Sequence, residues 1–347
     1  MEIAIAGRRI GPDHSPFVIC ELSGNHNGSL ERALSMIDAA AATGADAIKI
    51  QTYTPDTITI DCDRPEFRIH GGLWDGRTLY DLYGEAQTPY AWHAPLFARA
   101  RERGIILFSS PFDDTAIDLL AGLDAPAYKI ASFEAVDLPL IAYAARQGKP
   151  LVISTGMANL AEIGEAVETA RAHGTGEIVL LHCVSAYPSA FEDANVRTVA
   201  DLAERFGVVA GLSDHTPGSA ASVAAVSVGA CVIEKHFTLA RADGGPDAAF
   251  SLEPAEFTAL VRDCKDAWRS LGKPSYDLLG SERANLSFRR SLYVVADVKA
   301  GEPLTRANVR SIRPGNGLAP KQLDAVLGRR ASRDLQRGEP LAWDMLA

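Results

Sequence analysis

Residues 150–183 read PLVISTGMANLAEIGEAVETARAHGTGEIVLLHC, and this stretch decides the fold. It opens on a short apolar run (150–154, PLVIS), crosses a turn, continues as an amphipathic run over 159–173, and closes on a second apolar run (178–183, IVLLHC). An unbroken apolar run of this length suits a strand covered on both faces, and a helix between two such strands makes them parallel. The same rhythm recurs on either side. Further strands are expected at 17–21 (FVICE), 47–51 (AIKIQ), 105–109 (IILFS), 127–131 (AYKIA), 208–212 (VVAGL) and 231–235 (CVIEK), with amphipathic runs at 29–43, 90–103 and 254–271 among the intervening segments. Eight strand–helix units within about 250 residues predict an α/β chain folded as a TIM (β/α)8 barrel. A doubly wound open sheet is the competing architecture. The count of eight disfavours it, and so does the lack of a GxGxxG turn after the first strand.

The rhythm is broken once and then stops. Residues 52–88 are too long for an ordinary connection, and Trp74, Tyr80, Leu82 and Tyr83 favour an ordered lid or substrate-contacting loop. After Gly272 the alternation ends. The expected organisation is a catalytic barrel over 1–272, a polar linker over 273–288 and a small β-rich domain over 289–347. Among 347 residues, 47% apolar and 7% aromatic, the formal charge is −10. That balance excludes a nonspecific nucleic-acid binder, which needs a basic face. No apolar run approaches the roughly 20 residues of a membrane span, and the N-terminal residues lack the order of a signal peptide. Five widely spaced cysteines form no CxxC pair or disulfide framework. A cytoplasmic enzyme with no membrane or nucleic-acid partner is expected.

Barrel chemistry gathers at the C-terminal ends of the strands. Those positions hold Glu21; Lys49 and Gln51; Ser110; Lys129, Ser132 and Glu134; Ser154; His182 and Tyr187; Ser213, Asp214 and His215; and Glu234, Lys235 and His236. Ser110, Lys129, Ser132, Ser154 and Ser213 form a candidate phosphate cradle, in which hydroxyls donate and lysine supplies charge. Any one of these serines could equally be a turn or helix cap. His215 and His236 are a candidate metal pair, although a lone histidine is more often a hydrogen-bonded core residue. Lys49 or Lys129 could form a Schiff base or simply an ion pair. Glu21 is a candidate general base. Asp247 could face the site or make a turn, and Asn25 follows Glu21 in a tight turn. Cys183 is read as buried packing.

The segments ELSGNHNG (21–28), IKIQTY (48–53), FSSPFD (108–113), YKIAS (128–132), STGMA (154–158), GLSDHT (211–216) and EKHFTL (234–239) together resemble the sialic acid synthase family along essentially the whole chain. Residues 289–347 resemble that family's antifreeze-like (SAF, β-clip) domain. The resemblance implies condensation of phosphoenolpyruvate with an acylated amino-deoxy sugar. Residues 71–93 resemble the branch whose acceptor is 2,4-diacetamido-2,4,6-trideoxy-L-altrose, with N-acetylneuraminate or legionaminate synthesis as the alternative. His215 and His236 would bind a divalent ion, Mn²⁺ first and Mg²⁺ or Co²⁺ otherwise. Lys49, Gln51, Ser110, Lys129, Ser132, Ser154 and Ser213 would hold phosphoenolpyruvate, with Ser110 standing where threonine is commoner. Glu21 and Glu134 would orient water and move protons. Asn25, Tyr187, Asp247 and Arg313 of the partner subunit would meet the sugar in a domain-swapped homodimer. A Schiff base becomes unnecessary under this reading. A non-catalytic binding protein is the remote alternative.

Overall fold

A strand buried on both faces needs cover for its odd and its even residues. In the computed structural model, which describes residues 1–347, eight parallel strands obtain that cover by closing on themselves. An antiparallel hairpin of β1 (Ile3–Ile5) and β2 (Arg8–Ile10) precedes them. The barrel then runs in chain order through β3 (Phe17–Glu21), β4 (Ala47–Thr52), β5 (Ile106–Pro111), β6 (Tyr128–Ile130), β7 (Leu151–Ser154), β8 (Ile178–Cys183), β9 (Val209–Asp214) and β10 (Val232–His236). β10 pairs back onto β3, with His236 opposite Glu21. A helix follows each barrel strand, as in Leu160–His173 after β7. There Asn159 caps the first turn and Glu162 reaches back to the Asn159 N–H at 2.8 Å, a reciprocal arrangement that satisfies orphan donors at the helix start. The expected barrel is therefore the observed one.

Alternation along the strands builds two separate cores. One parity, including Val18, Ile48, Leu107, Ile153, Leu180 and Ile233, packs outward against the helices. The other, including Phe17, Ile19, Ala47, Phe108, Val152 and Leu181, fills the barrel interior together with Ile3, Ile5 and Ile10. The hairpin is thus a plug in the barrel floor, an element with no counterpart in the sequence reading. Gly211 belongs to the inward parity, and a Cβ there would lie 2.8 Å from Val232 Cβ, so the wall at this point admits no side chain.

Four strands run further than their apolar runs, β4 by one residue to Thr52. β5 continues through Ser110 to Pro111, β9 through Ser213 to Asp214, and β10 to His236. The ladder persists because backbone pairing does not depend on side-chain polarity: Gln51 pairs with Ser110, and Cys183 with Ser213. The connection after β4 holds short helices at Pro55–Ile58 and Leu79–Ala86 and is ordered, as its aromatics suggested.

Residues Lys273–Ala347 form a second compact unit. Its core is Leu292, Val294, Val298, Leu304, Val309 and Leu341, among others. Its sheet is modest for a domain expected to be β-rich. β11 (Ser291–Val294) pairs antiparallel with β12 (Val309–Ile312), and single bridges such as Val298 to Leu335 complete it. No helix of either unit is long and apolar enough to cross a membrane.

Candidate active site

Following the inward parity up from the apolar interior gives Glu21, Lys49, Gln51, Ser110, Lys129, Ser154, Ser213, Glu234 and His236. The inner wall thus changes from apolar to polar within one or two residues of each strand. Lys49 Nζ lies 2.5 Å from Glu21 Oε2 and 3.7 Å from Glu234 Oε1, and Lys129 Nζ is also 3.7 Å from Glu234 Oε1. Gln51 Nε2 donates to Glu21 Oε1 at 2.9 Å, Lys49 Nζ to Ser110 Oγ at 3.3 Å, and Ser213 Oγ to Glu234 Oε1 at 3.2 Å. Two lysines and two carboxylates are therefore linked in a charge-balanced cluster, all buried. Burial pushes the Glu21 carboxyl up, with Lys49 pulling against it. Burial works to depress Lys49 too, yet Glu21 and Glu234 hold it above its ordinary value. Burial also works to raise Glu234, but Lys129 and Lys49 outweigh it and keep that carboxyl low. Lys129 is driven down by burial, which Glu234 only partly offsets.

Glu234, like His182, Asp214 and Lys235, stands at a strand end with no role assigned from the sequence, and of these four it alone joins the cluster. Alternation puts it on the face of Val232 and His236, and the closed register of β10 on β3 and β9 turns that face inward. Two residues of strand rise, roughly 6.6 Å, separate Glu234 from His236 above it.

Around this cluster stand the loop residues. Ser132 Oγ accepts from Gly156 N at 3.1 Å, and a Cβ on Gly156 would sit 2.7 Å from that hydroxyl. Ser154 Oγ is buried with no partner, as is Glu134 Oε2. Burial raises the Glu134 carboxyl to about 7. His215 and His236 meet with ring centroids 5.2 Å apart, and Tyr187 lies 4.4 Å from His215. Phe250 closes on His236 at 4.8 Å. Trp74, from the long connection, reaches Tyr187 at 5.8 Å and donates its indole N–H to Pro246 O at 3.0 Å. Asp247 is buried and bonded to Ser23, with burial raising its carboxyl. Asn25 is fully buried, its amide donating to Phe237 O at 2.9 Å and Ser251 Oγ at 2.8 Å. Cys183 Sγ lies 3.8 Å from His215 Nδ1, so it faces the imidazole pair. His182 has the outward parity and meets Ala194 O at 2.9 Å. Arg313 is exposed on the second unit, just after β12.

The imidazoles fit a divalent cation. His215 Nδ1 is 2.9 Å from Val184 O, which leaves Nε2 unspent. His236 Nδ1 is buried without a partner, and burial holds this ring far toward its neutral, ligating form. Cys183 approaches His215 at Nδ1, the nitrogen already bonded to Val184 O, and no third imidazole or carboxylate joins the pair, which leaves positions for water or substrate oxygens.

Fold and site together define a (β/α)8-barrel enzyme whose mouth combines buried lysines, carboxylates and an imidazole pair. The NeuB family model matches residues 36–276 and the SAF domain model matches residues 289–347. The chain belongs to the NeuB family. It is 46% identical over 329 residues to the pseudaminic acid synthase of Campylobacter jejuni subsp. jejuni serotype O:23/36 (strain 81-176), covering 95% of this chain and 96% of that protein. It is 44% identical over 331 residues to the pseudaminic acid synthase of Helicobacter pylori (strain ATCC 700392 / 26695), covering 95% and 97%. The crystal structure of N-acetylneuraminic acid (sialic acid) synthetase from Leptospira borgpetersenii serovar Hardjo-bovis, in complex with citrate, superposes with a TM-score of 0.74 at 31% identity, covering 83% of this chain and 96% of that one.

Proposed function

We propose that this enzyme condenses phosphoenolpyruvate and water with 2,4-diacetamido-2,4,6-trideoxy-L-altrose, giving pseudaminic acid and phosphate. The observation that carries the reading is the buried cluster of Lys49, Lys129, Glu21 and Glu234 directly below the imidazole pair. The similarity to two pseudaminic acid synthases along 95% of the chain supports the acceptor.

Lys49 and Lys129 bind the anionic ends of phosphoenolpyruvate, with Gln51 and the hydroxyls of Ser110, Ser132, Ser154 and Ser213 donating to its oxygens. Carbon 3 attacks the aldehyde of the open-chain sugar. Water adds at carbon 2, and phosphate leaves with cleavage of its C–O bond. Glu21 takes the proton from that water, and Glu134, protonated up to about pH 7, gives one to the former aldehyde oxygen. His215 and His236 would hold a divalent ion, Mn²⁺ in our reading, which supplies Lewis-acid polarisation of the aldehyde when bound. Tyr187, Asp247 and the turn held by Asn25 line the sugar end.

A domain-swapped homodimer completes the site in this proposal, with Arg313 of the partner subunit meeting an acyl group. Two observations support it. Loops after three successive strands expose Phe133 (61%), Val136 (57%), Met157 (62%), Leu160 (52%) and Phe191 (50%), an apolar rim of the kind that marks a contact surface. The barrel unit carries 21 Lys and Arg against 36 Asp and Glu (net −15), the small unit 13 against 8 (net +5), opposite signs that would suit a contact of one protomer's small unit with its partner's barrel.

The test is phosphate release from phosphoenolpyruvate with Mn²⁺ and two acceptors, the trideoxy-altrose above and N-acetylmannosamine. Preference for the altrose is expected. Preference for N-acetylmannosamine would overturn the acceptor and keep the family. Release with neither acceptor would reopen the legionaminate precursor and the non-catalytic reading.

A further inference from the structure

Asp214 and Lys235 have the outward parity, so neither side chain enters the site. They pair directly across β9 and β10, and their side chains meet at 2.9 Å with each only 1% exposed. Asp214 Oδ1 accepts from both the N–H and the hydroxyl of Thr216, each at 2.8 Å, and Oδ2 accepts from Ser222 Oγ at 2.5 Å. Lys235 Nζ donates to Thr216 O at 2.6 Å. Every polar group of Thr216, the residue after His215, is therefore bound by this one pair. Ser222, in the first turn of helix Ala220–Ser227, fixes the far end of the same loop. The pair also touches both candidate ligands through the chain: Asp214 precedes His215, and Lys235 precedes His236.

A buried ion pair is a poor source of stability, since apolar residues of similar size often serve a fold as well or better. The neighbours here, Leu212, Ile233 and Phe237, would accept such a replacement. What apolar side chains cannot supply is direction at the Thr216 backbone. We infer that the Asp214–Lys235 pair, with Ser222, positions His215 against His236 for a shared divalent cation. The inference rests on the metal reading of that imidazole pair. Asp214 and Lys235 touch neither substrate nor cation; they are positioning residues.

The experiment is calorimetric titration of the full-length protein with Mn²⁺ alone, beside thermal unfolding and phosphoenolpyruvate binding. Four proteins are compared: wild type, His215→Ala, the double variant D214L/K235M and Ser222→Ala. Outer residues that orient ligands are typically worth 10–100-fold in metal affinity. The double variant should bind Mn²⁺ about 10–100-fold more weakly than wild type with phosphoenolpyruvate affinity nearly unchanged, while its melting temperature falls because Thr216 and Ser222 lose their buried partners. Ser222→Ala should lose several-fold, and it carries the test if the double variant does not fold. Wild-type Mn²⁺ affinity in the folded double variant, or in Ser222→Ala should the double variant not fold, overturns the inference while leaving the metal site intact. Equal, negligible binding by wild type and His215→Ala overturns the metal reading and the inference together.

Discussion

In the proposed mechanism Glu134 is the side chain whose ionisation bears most directly on rate. Burial raises its carboxyl from an ordinary 4.5 to about 7. At pH 7 a glutamate with a pKa of 4.5 is about 0.3% protonated, whereas one with a pKa near 7 is about half protonated, roughly 150-fold more acid. If Glu134 delivers the proton to the aldehyde oxygen, kcat/KM should fall about tenfold per pH unit above that pKa. Glu134→Gln should flatten this limb and lower the rate about 10²–10⁴-fold. The assay is phosphate release from pH 5.5 to 9, with metal held saturating. Stability gives a second reading. The folded pKa is raised, so protonated Glu134 contributes stability that is complete below about 4.5 and lost as pH rises through about 7. The full shift corresponds to about 3 kcal/mol, and partial solvent exposure reduces it to about 1–2 kcal/mol. Glu134→Gln should therefore melt at least as high as wild type above pH 7, and the gap should close toward pH 4.5. A basic limb that survives unchanged in Glu134→Gln would refute the assignment.

Gly156→Ala should raise the KM for phosphoenolpyruvate about tenfold at a stability cost of about 1–3 kcal/mol, because the added methyl crowds the Ser185 hydroxyl and, at 2.7 Å, the Ser132 hydroxyl and displaces both; an unchanged KM would remove Ser132 from the cradle. Trp74→Ala should raise the acceptor KM about tenfold, worth about 1.4 kcal/mol of lost aromatic contact, and leave that for phosphoenolpyruvate within about twofold. Equal effects on both substrates would mean that Trp74 only supports the fold. His215→Ala and His236→Ala should each abolish turnover while circular dichroism stays native, and full activity of both at limiting metal would dismiss the pair as ligands. Arg313→Ala should act on the acceptor KM; a change confined to melting temperature would make that arginine structural.

The barrel was legible because covering a parallel strand on both faces demands an apolar run, and 17–21 and 178–183 carry such runs up to their last residue or two. The same property hides parity. In VIEKH nothing local says that Glu234 and His236 turn inward while Lys235 turns outward; the closed register of β10 on β3 and β9 decides it. Thus Lys49, Lys129 and Ser213 lie together with Glu234, to which the sequence assigned no role, whereas His182, Asp214 and Lys235 stand behind the wall. The hairpin of Ile3 and Ile10 escaped notice because three-residue strands fall below the length at which alternation can be recognised. The order of residues 52–88 was legible from aromatic content. Its contact between Trp74 and Pro246 joins positions 172 apart in sequence, which no local pattern encodes.

The plugged floor gives the reaction a one-way geography. With Ile3, Ile5 and Ile10 sealing one end of the barrel, traffic passes through the mouth alone. The lysine cluster lies about two residues of strand rise below the imidazoles, so whatever sits at the imidazoles lies across the exit of whatever sits at the lysines. Phosphoenolpyruvate should then load before the sugar, and an unreactive sugar analogue should slow its escape rather than compete with it.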